Sequence, residues 1–259
     1  EKKRPCIIFL YGGGFVDKGD DCTQEIGKGM AQKGYVVALI DYRLGFPDGN
    51  LFVLCQGNFM TGFYEAALRA TQDARSAIRY IKANADRLGI DPNKIFISGN
   101  SAGAITALNA AFLDDNDIPA VQLKDIGGSL DAMKDNIQYD SKVAGVVSLA
   151  GAFIDKKLLD KTTNAAICLF QGNCDRLIDI NTRIAMNCED KNATFPMIYG
   201  SQAIYDAIKT KNKVKFNYVC NGGHLTINWG LPGMIELISR FTISVLEGNP
   251  INGKDVVTP

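Results

Sequence analysis

Histidine is almost missing from this 259-residue chain, which carries one, at position 224. Cysteine does not make up for it: positions 6, 22, 55, 168, 174, 188 and 220 form no CxxC pair and no Cys/His cluster. A zinc centre is therefore not expected, and no metal or organic cofactor is called for. Charge of one sign is missing too. The 28 basic and 28 acidic side chains cancel, which argues against nucleic acid or an anionic membrane surface as the main partner. No segment reaches the run of about 18 apolar residues that a membrane-spanning helix needs. The opening EKKRPCIIFLYGGG ends in glycines, without a small-residue cleavage site, and reads as a strand rather than a signal peptide. There is no initiator methionine, which fits a processed or trimmed product, and no repeat, low-complexity stretch or Pro/Ser-rich linker. One domain over residues 1–259 is expected. An odd cysteine count leaves at least one thiol unpaired, and Cys174 with Cys188 is a candidate disulfide beside the acid loop introduced below. A secreted or periplasmic setting is favoured over the cytoplasm; oligomeric state is not readable.

What is present is a regular alternation. Apolar runs of strand length lie at Pro5–Tyr11, Tyr35–Asp41, Ile95–Ser98, Val143–Leu149, Ala165–Phe170 and Val214–Val219. They are nearly continuous in apolar residues, as parallel strands covered on both faces are. Segments of helical period lie between or after them at Thr23–Lys33, Tyr64–Arg87, Ala102–Leu113, Ser201–Lys209 and Gly233–Leu246. The pattern predicts an α/β fold, a doubly wound, mostly parallel sheet with helices on both faces. In such sheets the loops at the strand C-terminal ends build the site. Residues 44–62 and 114–142 fit the alternation poorly and are expected to be cap or pocket-lining insertions near that site.

The strand ends carry the chemistry. IFIS runs into GNSAG, residues 99–103, and then into a helix. This is a G-x-S-x-G turn in a strand–turn–helix setting, which pushes Ser101 forward with its hydroxyl exposed beside a helix N-terminus. PCIIFLY runs into YGGGF, where consecutive glycines let backbone N–H groups approach a ligand. Gly13 and Gly14, with Ala102 just after the serine, are the candidate donors to an oxyanion. The rival reading, a phosphate cradle, lacks both GxGxxG and GxxxxGK[ST]. His224 follows the strand VKFNYV in NGGHL and supplies the near-neutral base that a serine nucleophile needs. AAICLF leads into QGNCDRLID, which offers Asp175 first and Asp179 second as the acid that orients the imidazole. Tyr11, Phe15, Asn100 and Trp229, together with Leu44, Phe46, Phe59 and Phe153, are candidates for a substrate pocket.

Taken together, YGGGF, DYRLG at 41–45, the stretch DARSAIRYIKANADRLGIDPNKIFISGNSAG, QGNCD and GGH resemble the α/β-hydrolase carboxylesterases. The likeness is to the group that includes hormone-sensitive-lipase-like and related bacterial esterases, and it runs from about residue 5 to 246. It implies the α/β-hydrolase fold, with Ser101, Asp175 and His224 in the order this fold uses. The implied activity is cofactor-free hydrolysis of a small-molecule ester, of small acyl groups first, including acetyl or aromatic esters of carbohydrates. The chain departs from the group's pattern at three places: Tyr11 stands where HGGG has histidine, Asn100 where Asp or Glu is common, and Gln171 where histidine is usual. A prolyl-oligopeptidase-type peptidase without its large extra domain, and a hydrolase-fold binding module without catalysis, are the alternatives.

Overall fold

A run such as CIIFL, with no polar residue in it, is stable as a strand only when both of its faces are covered. The computed structural model, which describes residues 3–19, 22–45, 59–133, 135–184, 197–224 and 233–258, supplies that cover. Seven strands form the main sheet: β1 (Arg4–Leu10), β2 (Val36–Ile40), β3 (Ile90–Asn100), β4 (Gly145–Leu149), β6 (Ala166–Gly172), β9 (Val214–Val219) and β10 (Gly253–Val257). Their order is β10-β9-β6-β4-β3-β1-β2, and every neighbouring pair is parallel. Successive residues serve opposite faces. Cys6, Ile8 and Leu10 enter one core and Ile7 and Phe9 the other; in β6, Ile167 and Leu169 oppose Ala166, Cys168 and Phe170 in the same way.

The first core is closed by α2 (Phe59–Ala83), α4 (Ala102–Phe112) and α6 (Ser201–Ile208). The second is closed by α1 (Thr23–Gln32) and α7 (Met234–Leu246). Ten of the eleven residues of α4 are buried, because it lies between the sheet and α2. Its Ala102, Gly103, Ala104, Ala107 and Ala110 are small enough for that approach. From β1 the chain goes outward to β2 and returns to β3 on the other flank of β1. This reversal is a topological switch, the place where such sheets open a crevice at their C-terminal ends.

Several elements differ from expectation. β3 begins at Ile90, five residues early, and carries an irregularity against β1 between the pairs Arg4↔Ile90 and Cys6↔Ile95. Pro92 has no N–H for a ladder, and Asp91 Oδ1 accepts from Asn93 N–H instead. The long helix breaks at Asn84; α3 (Ala85–Leu88) follows, closed by Gly89 at φ +66°. A second, three-stranded antiparallel sheet, β5 (Ala152–Phe153), β8 (Met197–Gly200) and β7 (Thr182–Ile184), was not foreseen, nor were β10 and α5 (Ala120–Asp125).

The two irregular stretches have different outcomes. Most of 44–62 lies outside the described residues. The stretch 114–142 divides: Asp117, Pro119 and Gln122 line a cavity of about 360 Å³ with Tyr64, Asp155 and Tyr199. Its second half lies elsewhere. Residues 137 and 139–142 line a cavity of about 500 Å³ with Arg75, Arg79, Ala110, Val143 and Ala165, at the C-terminal end of α4 and where β4 and β6 begin. That end of the sheet is remote from the G-x-S-x-G turn, which lies at the other end of α4. The cause is a charge clamp: Arg75 and Arg79, both buried, each donate to the Asp131 carboxylate and to a backbone carbonyl, of Leu113 and Met133 respectively.

Candidate active site

The turn after β3 is built around contacts that only glycine permits. A Cβ on Gly99 would lie 2.2 Å from the Gly103 carbonyl carbon, and one on Gly103 would lie 2.3 Å from the Leu10 oxygen and 2.5 Å from that of Tyr11. The elbow is therefore folded against itself and pressed onto the end of β1. Between the two glycines Ser101 takes φ 52°, ψ −116°, a conformation that side-chain-bearing residues rarely adopt. Its N–H donates to the Leu149 carbonyl at 2.8 Å, fixing the elbow to the end of β4. The hydroxyl is left at the N-terminus of α4, whose first-turn N–H groups have no intrahelical acceptor.

Two other strand ends reach the same point. After β9, His224 brings Nε2 to 3.1 Å from Ser101 Oγ. After β6, Asp175 Oδ2 lies 2.8 Å from His224 Nδ1. The Asp175 side chain is wholly enclosed and that of His224 nearly so. The carboxylate is oriented from behind, since its Oδ1 accepts from the N–H groups of Leu177 (3.0 Å) and Ile178 (2.9 Å). Asp179, the second acid candidate, is engaged away from the imidazole, accepting from Asn181 N–H and pairing with Arg183. The loops bearing acid and base are joined directly. Asn173 N–H donates to the Val219 carbonyl, Cys174 N–H to that of Gly222, and Asn221 N–H to Asn173 Oδ1. Cys174 is an exposed free thiol; Cys188, its candidate partner, lies outside the described residues.

The glycine loop after β1 sits beside the elbow through the Gly103 contact. Gly13 and Gly14 have φ +118° and +64°, and Gly13 O accepts from the N–H groups of Val16 and Asp17. Tyr11, where the family pattern has histidine, is buried, stacks on Tyr42 with ring centroids 4.5 Å apart, and donates its hydroxyl to the Tyr42 carbonyl. Tyr42 returns a bond to the Tyr11 carbonyl. Burial raises the Tyr11 phenol above its ordinary range, so it is neutral at physiological pH.

Other pocket candidates fare differently. Phe15 is fully buried, packed edge-on against Tyr42 and Phe63, and Phe153 is fully buried against Phe112. Both are core residues rather than pocket walls, because the glycine loop turns Phe15 onto Tyr42 and Phe63 and β5 places Phe153 against Phe112. Asn100 is also fully buried, under the elbow. Leu44 is exposed. Trp229, Phe46 and the Phe59 side chain lie outside the described residues. Tyr42 and Gln171 were not singled out as working residues. The signal for Tyr42 was its place in DYRLG; that for Gln171 was its standing, ahead of the glycine in QGNCD, where the family usually has histidine.

Comparison with known proteins bears on the family and the fold. The family described as BD-FAE matches residues 52–199. Fumonisin B1 esterase of Sphingopyxis macrogoltabida is 33% identical over 103 residues, 39% of this chain and 18% of that protein. An AB hydrolase superfamily protein of Schizosaccharomyces pombe is 33% identical over 100 residues, 38% of this chain and 24% of its own. The chain thus spans less than a quarter of the length of the curated relatives it matches. Among solved structures, propionate-bound esterase 2 of Thermogutta terrifontis superposes with a TM-score of 0.67 at 18% identity. The superposition covers 94% of this chain and 84% of that one. The same esterase has been solved phosphorylated by paraoxon, with a TM-score of 0.66 at 18% identity over 97% and 86% of the two chains. The shared architecture is the α/β-hydrolase fold.

Proposed function

The chain belongs to the BD-FAE family, and on that premise we propose that it is a serine-dependent carboxylic-ester hydrolase working through an acyl-enzyme. One observation carries the reading: an unbroken relay from Ser101 Oγ through both nitrogens of the chain's only histidine to Asp175, with steps of 3.1 and 2.8 Å. Ser101 Oγ attacks the ester carbonyl carbon while its proton passes to His224 Nε2. Collapse of the tetrahedral adduct breaks the bond to the alcohol oxygen, which takes the proton from the imidazolium and leaves. Water then gives a proton to the same nitrogen and attacks the acyl carbon, releasing the acid and restoring Ser101. Asp175 holds the imidazole in the tautomer with hydrogen on Nδ1 and stabilises the imidazolium without taking its proton. N–H groups of Gly13, Gly14 and Ala102 receive the oxyanion, each worth about 3 kcal/mol of barrier on the scale of single-donor deletions. These roles need no metal or organic cofactor.

The substrate class we propose is small-molecule esters of small acyl groups, acetyl or aromatic esters of carbohydrates among them. The fold neighbour bound to propionate supports a short acyl group, and the esterase names among the relatives support the ester bond. The test is a panel of p-nitrophenyl esters from acetate to octanoate, with feruloyl and acetylated sugar esters alongside. Acetate and propionate should lead the panel. Ser101→Ala should lower turnover by several orders of magnitude and abolish labelling by a fluorophosphonate probe. A Ser101→Ala protein that still hydrolyses at near wild-type rate would overturn the proposal.

A further inference from the structure

Gln171 is the last residue but one of β6 and is fully buried, yet both ends of its carboxamide are used. Its Nε2 donates to the Ile178 carbonyl at 2.6 Å, and its Oε1 accepts from Ser201 N–H, the first residue of α6, at 2.7 Å. Ile178 is therefore held through both of its backbone polar groups, which lie in successive peptide units. Its carbonyl is taken by Gln171, while its N–H is one of the two that orient Asp175 Oδ1. The first half of the acid loop is tied to the histidine side of the site through Asn173 and Cys174. The second half is tied to α6, through Gln171 and through the Ile180 carbonyl, which accepts from Gln202 and Ala203 N–H.

We propose that Gln171 is a positioning residue for the triad, stapling Ile178 to the start of α6 so that Asp175 Oδ2 stays in line with His224 Nδ1. The inference rests on the catalytic reading of Asp175 and His224 given above. The side chain must donate to a carbonyl and accept from an N–H at once, across a gap of one carboxamide. Leu does neither, Met offers a weak sulfur acceptor and no donor, and an ionised Glu accepts but turns an acceptor towards the Ile178 oxygen. Losing the staple frees the Ile178 carbonyl; the residue shifts as a whole, and its N–H on the preceding peptide, one of the two that orient the Asp175 carboxylate, shifts with it. Misplacement by about 1 Å at such a remove is enough for a loss on the order of 10²-fold in rate.

The experiment compares wild type with Gln171→Met and Gln171→Glu, measuring kcat and KM for p-nitrophenyl acetate and the Nδ1–H proton of His224 by NMR after ¹⁵N-histidine labelling. With one histidine in the chain, that signal has a single source. The expected result is kcat lower on the order of 10²-fold with KM within about two-fold of wild type. The Nδ1–H signal should be broadened or lost in both variants. A purely structural role would lower the melting temperature and leave kcat and the Nδ1–H signal of the folded protein unchanged, and that result overturns the proposal. Should Gln171→Met fail to fold, the near-isosteric Gln171→Glu carries the same comparison. If the wild type hydrolyses no ester, the functional reading falls, while the Nδ1–H signal still decides whether Gln171 positions Asp175.

Discussion

A methyl group on Gly103 has nowhere to go. It would meet two consecutive backbone oxygens, of Leu10 and Tyr11, at the end of a buried strand, and backbone yields less readily than side chains do. Gly103→Ala should therefore cost about 3 kcal/mol, at the upper end of overpacking, read as a shift in the urea midpoint at constant slope. Activity should fall further than stability does, because the displaced oxygens belong to the stretch that leads into Gly13 and Gly14. The G-x-S-x-G spacing was legible from local sequence, because turn chemistry is local. The reason for its second glycine was not: that depends on a strand more than ninety positions earlier, which no window along the chain contains. Phe15 illustrates the converse. An aromatic residue next to the YGGG glycines reads as a pocket wall, whereas the loop turns it down onto Tyr42 and Phe63.

Among the elements, α4 links the site to the clamp: Ser101 stands at its start, and Leu113, just past its end, accepts from Arg75 of the Arg75–Arg79–Asp131 clamp. Asp131→Ala leaves two buried guanidinium groups without their shared carboxylate. The expected loss is about 2 kcal/mol, less than a fully enclosed pair forfeits because Asp131 is half exposed. Thermal unfolding measures it, and turnover of a short ester at 25 °C should stay near wild type, since the clamp touches the helix end farthest from the serine. The six apolar runs are all strands. Five lie inside the sheet, where burial on both faces leaves a clear signature, while β2 is an edge strand, half-buried with Leu39 exposed, and was legible from its apolar run alone. The strands that escaped are of two kinds. β5, β7 and β8 have two to four residues, too few to establish a period. β10 is an exposed edge, GKDVV, whose Lys254 and Asp255 read as loop and whose charges suit an edge that should not pair further.

At the scale of the whole molecule, the triad is distributed over β3, β6 and β9, with β4 lying between the first two. Ser101 and His224 are 123 positions apart, and Asp175 and His224 are 49 apart. No short stretch holds a working fragment of the site, so the order of strands had to be right before any distance between these residues could be. That order was legible only as a class, a parallel sheet, because hydrophobic pattern specifies that a strand is buried and not which strand lies beside it.

The same distribution governs when, in folding, the site that carries the proposed activity is completed. Helices form from local contacts within microseconds, whereas parallel neighbours joined across long connections must close large loops first. The Ser101–His224 approach closes one of these loops, and it completes only when β4, β6 and β9 have all docked in register. On dilution from urea, far-ultraviolet circular dichroism should return first and hydrolysis of a short ester last. The relay is thus a clock for the final docking of the sheet; simultaneous recovery of both signals would mean that helices and sheet assemble in one step.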